Sequence, residues 1–106
     1  GAFPTWLAPV QALLIPITDQ QNDYAAELLA KLKAEGIRAE ADYRSEKLGH
    51  KIREGQLQKI PHMLVLGKKE QAEGTLSVRS RREGDKGSMS YDDYLKYLNQ
   101  EIESRA

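Results

Sequence analysis

The sequence predicts an α/β fold, built in three layers around a mixed, mainly parallel sheet in the order βαβαβ-β-α, with about three helices. Nearly unbroken apolar runs at 10–17 and 62–67 are typical of strands buried on both faces. Helical segments separate successive strands, which favours parallel pairing through right-handed crossovers. A chain of 106 residues, 40% apolar and 30% charged, fits one such globular domain.

The first half supplies a strand, a helix and a second strand. The strand "VQALLIPI" (10–17) ends in a polar turn that leads into the helix. The residues able to cap this helix are Thr18, Asp19 and Asn22. Gly36 is placed to end it, and its apolar stripe comprises Tyr24, Leu28, Leu29 and Leu32. Residues 37–43 alternate between apolar and charged side chains, which predicts a half-buried strand near a sheet edge.

A second long helix is predicted over 46–60, because its composition is helical and Pro61 stops it. At about 100° per residue, one side of this helix forms an apolar arc of Ile52, Leu57 and Ile60. Arg53 falls inside that arc, and Lys51 falls outside it. The arc predicts the side of the helix that faces the sheet.

The remaining predicted segments are a buried strand at 62–67, a turn at 68–74, a returning antiparallel strand at 75–81, a loop at 82–88 and a closing helix at 90–104. Ser90 is placed to cap the closing helix, whose apolar stripe comprises Tyr91, Tyr94, Leu95, Leu98 and Ile102. His62 is expected at a strand edge. The domain is expected to span 10–106, with the end of an interdomain linker at 1–9. From a start at Gly1 and two early prolines we expect a piece cut from a longer chain, and a processed or tagged start is the alternative.

Composition excludes several classes of function. The chain has no cysteine, which excludes disulfides, thiol chemistry and cysteine-based zinc sites. No apolar run approaches the roughly 20 residues of a membrane span, and no signal peptide is expected from the start "GAFPTWLAPVQ". The common phosphate-loop, dinucleotide-binding, nucleophile-elbow and zinc-protease motifs are absent. We therefore expect no active site, metal or bound cofactor, and a binding module is the simplest class.

Charge is distributed unevenly, although the chain is formally neutral. Residues 44–69 carry seven Lys or Arg against two Asp or Glu, beginning with the stretch "RSEKLGHKIREG" (44–55). In open parallel sheets, ligands bind beyond the carboxyl ends of the strands. Two of the three predicted strand ends, "RSEK" and "GKKE", are basic, which indicates a surface for an anionic partner. A lysine-rich, solvated surface is the alternative.

Three arginines bear on this interpretation. Arg53 lies on the predicted inner side of its helix, where an arginine should be paired, stacked or aimed at a partner. A snorkelling side chain with a solvated head is the alternative. Arg79 and Arg81 share one face of the returning strand, and such a pair suits phosphate or base-edge contacts. Plain solubility would explain the same pair.

The segments "FPTWLAPVQALLIPITDQ", "EKLGHKIREGQLQKIPHMLVLG" and "LSVRSRREGDKGSM", followed by the closing helix, resemble the C-terminal anticodon-binding domain of bacterial-type threonyl-tRNA synthetases. The resemblance covers essentially the whole chain. It implies the class IIa anticodon-binding fold and a module that recognises the anticodon loop of threonine tRNA. Similar starts and "KIRE" helices occur in the sister synthetases for proline, histidine and glycine, so a sister family is the alternative.

The resemblance also implies site residues. The residues that contact the second and third anticodon bases would be Arg53, Glu70 and Arg79. Ser45, where the family more often has Asn, and Lys47 would lie nearby. A carboxylate such as Glu70 can accept hydrogen bonds from the N1–H and N2–H2 groups of guanine. The other cations of the basic segments are candidate phosphate contacts: Arg44, Lys51, Lys68, Lys69 and Arg81.

The resemblance further implies what lies outside this chain. The parent enzyme would be an ATP-dependent threonine–tRNA ligase, homodimeric through its catalytic domain, which would hold the ATP, magnesium and zinc sites. This fragment would be a non-catalytic, cytoplasmic monomer with no membrane partner. It would bind the tRNA anticodon stem-loop and the catalytic domain of its parent. A synthetase-derived accessory module that binds nucleic acid or protein is the remaining alternative.

Overall fold

A computed structural model describes residues 2–106, so that Gly1, the first residue of the predicted linker end, lies outside the described range. Five strands of this range form one sheet: β1 (Ala12–Pro16), β2 (Ala39–Ala41), β3 (His62–Leu66), β4 (Thr75–Ser80) and β5 (Gly84–Ser90). The helices are α1 (Asn22–Ala34), α2 (Leu48–Leu57), α3 (Lys68–Glu73) and α4 (Tyr91–Glu103).

The strands are ordered β2-β1-β3-β4-β5 across the sheet. β1 pairs in parallel with β2 and β3, because α1 and α2 each carry the chain back to the same end of the sheet. β4 and β5 are added in antiparallel orientation. The predicted α/β class, the mixed sheet and the edge position of β2 are confirmed. Because β5 adds the β4–β5 pairing to the β3–β4 pairing, the sheet contains two antiparallel and two parallel pairings.

α1 and α4 cover one face of the sheet, which we call the closed face. Thr18 caps the turn that leads into α1, and Gly36 follows α1 in the left-handed region, as predicted. The Ser90 side chain accepts a hydrogen bond from the Asp93 N–H and caps α4. The apolar stripes of both helices meet the sheet in one core, whose fully buried side chains include Leu14, Leu32, Leu64, Leu76, Tyr94 and Leu98.

α2 covers part of the other face, which we call the open face. The predicted apolar arc is wrong at Leu57, which is 74% exposed, whereas Ile52 is half-buried and Ile60, just beyond the helix, is buried. The buried residues of α2 itself are Lys51 and Gly55. A Cβ added to Gly55 would lie 2.7 Å from the sulfur of Met63 on β3. The side chains of the strands therefore fill the space beneath α2, and the helix packs there without a large apolar residue.

Two elements differ from the sequence-based expectation. Residues 68–74, predicted as a turn, form α3, and Gly74 closes it in the left-handed region. The predicted loop at 82–88 lies mostly in β5, an exposed edge strand paired with β4. Because β5 is polar and contains two glycines, its sequence lacks the alternation that marks a half-buried strand.

His62 is fully buried on the central strand β3, so its predicted place at a strand edge is wrong. Its Nδ1 lies 2.9 Å from the hydroxyl of Tyr94, and its Nε2 lies 2.9 Å from a carboxylate oxygen of Glu101. Thr5 donates a hydrogen bond to the same carboxylate. Burial alone would raise the pKa of Glu101, but the contacts with His62 and Thr5 outweigh it and hold this pKa below the usual range.

Residues 2–9, within the predicted linker end, include contacts with the rest of the domain. Thr5 and Ala8 are buried, and the backbone N–H of Thr5 donates to the carbonyl of Ala106, 2.6 Å away. The guanidinium of Arg38 donates to the carbonyl of Ala8 at 2.9 Å. Side-chain and backbone hydrogen bonds therefore hold this segment beside the carboxyl end of α4.

Candidate nucleic-acid interface

The three parallel strands end at one edge of the sheet, where the loops after β1, β2 and β3 begin. The first two of these loops frame a cavity of about 320 Å³, which we call the strand-end cavity. Its lining includes Thr18 from the first loop, Asn22 at the start of α1, and Tyr43 and Ser45 from the second loop. Ser45 is therefore placed at a recess lined mainly by polar side chains, beside the exposed ring of Tyr43.

Arg44 is bound to two carboxylates of the protein itself. Its guanidinium contacts Asp42 at 2.9 Å and Glu54 of α2 at 2.8 Å. Hydrogen bonds from the Arg44 side chain hold the pKa of Asp42 and that of Glu54 below their usual ranges. Half of the Arg44 side chain remains exposed. A phosphate would therefore compete with two carboxylates for the guanidinium of Arg44. The predicted phosphate contact of Arg44 thus has no free cation to make it.

Lys51 is buried, which contradicts its prediction as a phosphate contact. The side chain is 3% exposed, and its Nζ donates to the carbonyl of Pro16 at 3.2 Å and to that of Asp42 at 3.1 Å. These carbonyls lie at the carboxyl ends of β1 and β2. The ammonium of Lys51 thus joins two strand ends beneath the strand-end cavity instead of projecting from the surface.

The guanidinium of Arg81 is also held by hydrogen bonds within the protein. It lies just beyond β4, and its guanidinium donates to the carbonyl of Lys59 at 2.5 Å and to that of Phe3 at 2.8 Å. Arg81 therefore ties the amino-terminal segment and the chain after α2 to the end of β4. The prediction that Arg79 and Arg81 act as one pair on a strand face is not met, since only Arg79 lies within β4.

The other predicted cations have no side-chain partner in the part of the chain that the structure describes. Among residues 2–106, neither an ion pair nor a side-chain hydrogen bond is formed by Lys47, Arg53, Lys68, Lys69 or Arg79. All of them are exposed except Arg79, which is half-buried. Buried or paired charges are costly to redirect, whereas these five can meet an external anion without breaking an internal contact.

Arg53 projects from the outer side of α2. It lies about 160° around the helix from Gly55, which faces the sheet. The sequence predicted an inward-leaning arginine that needs a partner, and this part of the prediction is wrong. Its exposure instead leaves all five guanidinium N–H groups available to a ligand that covers α2.

Arg79 lies on the open face, opposite Met63 in the pairing of β4 with β3. The register with β5 shifts between Val78 and Arg79, where Lys86 of β5 is left without a pairing partner on β4. A cavity of about 250 Å³ adjoins Arg79 between the carboxyl end of α2 and the β4–β5 hairpin. The guanidinium is thus presented beside a recess on the part of the sheet that α2 leaves uncovered.

Glu70 lies in the first turn of α3, at the end of β3. One of its carboxylate oxygens accepts a hydrogen bond from the Gly67 N–H at 2.7 Å. A Cβ on Gly67 would lie 2.9 Å from that oxygen and 2.8 Å from Ile17, so the glycine leaves room for this arrangement. Gly67 was not among the residues predicted from the sequence, where its only signal is the capping-box spacing to Glu70.

This surface can bind an anion and discriminate among hydrogen-bonding groups. Ammonium and guanidinium groups donate to phosphate oxygens and to base acceptors, and the second oxygen of Glu70 accepts from base N–H groups. Among residues 2–106, no group of three or more His, Asp or Glu side chains is arranged to hold a metal ion. No helix in the same range has the length and apolarity needed to cross a bilayer.

The chain is about half identical to several threonine–tRNA ligases over nearly its whole length. It is 55% identical over 105 residues to those of Syntrophomonas wolfei and Clostridium tetani, covering 99% of this chain and 16% of each relative. The chain therefore spans about a sixth of the length of these relatives. Their names favour the threonine member over the sister synthetases and confirm the predicted resemblance.

A solved structure agrees with the sequence relatives. The RNA binding domain of threonyl-tRNA synthetase from Cryptosporidium parvum is 27% identical and superposes with a TM-score of 0.88. The match covers 94% of this chain and 25% of that one. The protein-family model described as the anticodon binding domain matches residues 11–101 of this chain. On this match and the shared fold, the chain belongs to the anticodon binding domain family.

Proposed function

We propose that this chain binds the anticodon loop of threonine tRNA and serves as the anticodon-reading module of a threonine–tRNA ligase. The observation that carries the proposal is the set of unpaired cations on the strand ends, α2 and β4, in a chain of this family. RNA loops expose unstacked bases beside phosphates, and both kinds of group suit these side chains. The accessory-module alternative has no observation in its favour.

The bases to be read are fixed by the genetic code. All threonine codons begin with AC, so every threonine anticodon ends in GU. Glu70 would accept hydrogen bonds from guanine, and Arg53 and Arg79 would donate to acceptor edges. Lys47, Lys68 and Lys69 would hold phosphates without regard to sequence. Ser45 would contact the loop at the strand-end cavity.

The activity of the longer protein belongs to the same proposal. We infer that it joins threonine to its tRNA at the expense of ATP, in the cytoplasm. The catalytic domain, with its ATP, magnesium and zinc sites, would lie outside this chain and would form the homodimer. This chain would then contribute tRNA selection without a chemical step of its own.

The test is a titration of the chain with a threonine anticodon stem-loop and with loops changed at the final G or U, at two salt concentrations. We expect each change to weaken binding by about 1–3 kcal/mol, and the difference to persist at higher salt. Equal binding of all loops, collapsing with salt, would indicate a nonspecific basic surface and refute the proposal.

Single substitutions separate the two kinds of contact. Arg53→Ala should reduce the preference for the cognate loop, whereas Lys69→Ala should weaken all loops alike and lower the salt slope by about 1. Lys96→Ala, an exposed lysine of α4 on the closed face, is the charge-matched control and should change neither. If Arg53→Ala weakens every loop equally, Arg53 does not read a base.

A further inference from the structure

The hydrogen-bond ladder between β1 and β2 ends one step earlier than the parallel register of the two strands would allow. In this parallel ladder the N–H of Asp42 donates to the carbonyl of Leu14 at 2.9 Å. The next step would take an N–H of Pro16 to the carbonyl of Asp42, and the N–H of Arg44 to the carbonyl of Pro16. Neither bond forms.

Each missing bond has an identifiable cause. Pro16 has no N–H, so the carbonyl of Asp42 loses its donor. The N–H of Arg44 turns back to the Asp42 carboxylate at 3.1 Å, so the carbonyl of Pro16 also loses its donor. Two strand-end carbonyls would be left without partners, that of Pro16 in a buried position and that of Asp42 in a partly buried one, where an unmet acceptor is costly.

The ammonium of Lys51 supplies both missing donors. The two carbonyls to which it donates, those of Pro16 and Asp42, are the two that the absent step would have paired. A lysine carries three donors on one point charge and can span two acceptors on different strands. Its burial on α2 also joins the helix to the strand ends, since the side chain is 3% exposed.

We propose that Lys51 is a positioning residue for RNA recognition, which replaces the missing step of the ladder and fixes the loops after β1 and β2. The part concerning RNA rests on the proposed function. These loops frame the strand-end cavity, and the second of them carries Arg44, Ser45 and Lys47. Small displacements of such groups cost affinity and selectivity, because recognition depends on hydrogen-bond geometry.

The first test needs no RNA. In Lys51→Met, amide hydrogen exchange at Asp42 and Arg44 should accelerate by about tenfold or more, because the strand ends separate more readily. Adding Pro16→Ala restores an N–H facing the carbonyl of Asp42 and should slow the exchange again. Unchanged exchange in Lys51→Met would overturn the proposal. If Lys51→Met does not fold, Pro16→Ala must restore folding in the double variant, and failure to do so would also overturn it.

The second test separates positioning from direct contact. Lys51→Met should lower the preference for the cognate loop by about tenfold while leaving the salt slope unchanged. Lys47→Met, the matched exposed lysine, should lower that slope by about 1. A lowered slope in Lys51→Met would mean that Lys51 contacts phosphate and would refute the positioning role. If the unmodified chain shows no preference, the proposed function fails, while the exchange test still decides the role of Lys51.

Discussion

The two faces of the sheet are covered by helices that pack through different kinds of residues. On the closed face, α1 and α4 bury Leu32, Tyr94 and Leu98 in a continuous apolar core. On the open face, α2 approaches through Gly55 and the buried Lys51, and part of β4 remains uncovered. The closed face therefore supplies most of the stability, and the open face can present charged side chains that contribute little to folding.

Substitution in the closed face should give the largest effect. Leu98→Ala removes a fully buried side chain of α4 and should lower the free energy of unfolding by about 3 kcal/mol, since a cavity remains. Urea unfolding measures the loss. Binding of anticodon loops by the folded fraction should not change. If Leu98→Ala instead kept the unfolding free energy of the unmodified chain and bound anticodon loops more weakly, the two faces would not be separable in this way.

The buried carboxylate of Glu101 should give the next largest effect. Glu101→Gln removes the charge beside His62 and should cost about 2 kcal/mol at neutral pH. Because the pKa of Glu101 is lowered in the folded protein, this stabilisation is present above the ordinary glutamate value and is lost as the pH falls through the lowered pKa.

The measurement is urea unfolding of the unmodified chain and of Glu101→Gln between neutral pH and about pH 3, below the ordinary glutamate value. The difference in unfolding free energy between the two proteins should shrink toward zero in acid. A constant difference across this range would show that packing, and not the carboxylate charge, accounts for the loss. Glu103→Gln, an exposed change on the same helix, is the control.

An effect on binding without a comparable effect on stability is expected at the end of β3. Gly67→Ala would place a Cβ against flexible side-chain ends of Ile17 and Glu70, so the unfolding free energy should fall by only about 1 kcal/mol. The carboxylate of Glu70 must move, and preference for guanine in the loop should weaken. Gly49→Ala, where a Cβ meets nothing within 4 Å, is the matched glycine control. If Gly67→Ala leaves the preference for guanine unchanged, Glu70 does not read a base.

Local patterns predicted much of this fold, because most elements carry their own signal. The apolar runs gave β1 and β3, and the stripes with their caps gave α1 and α4. β5 carries no such signal, since an exposed strand of polar residues and glycine is defined only by its neighbour β4. The burial of His62 depends on partners from α4 and from the segment of Thr5, which lie far away in sequence.

The site was predicted less completely than the fold. Residue types and strand ends located the basic edge, but they could not tell free cations from committed ones. Arg44, Lys51 and Arg81 are committed by carboxylates or carbonyls on other elements. The role of Lys51 depends on Pro16, which is 35 residues away in the chain. Such pairings follow from the strand register, which one sequence does not reveal.

The smallest effect is expected on the outer side of α2. Leu57→Ala removes a side chain of the same type as Leu98, but 74% of it is exposed, so the unfolding free energy should change by less than about 0.5 kcal/mol. The helical pattern assigned Leu57 to the buried arc because periodicity identifies an apolar side, whereas Met63 determines which side of α2 fits the sheet. A loss close to that of Leu98→Ala would mean that Leu57 is covered in solution and that the open face is smaller than described. A negligible loss would leave α2 as a helix held by Gly55 and Lys51, with its outer side available to RNA.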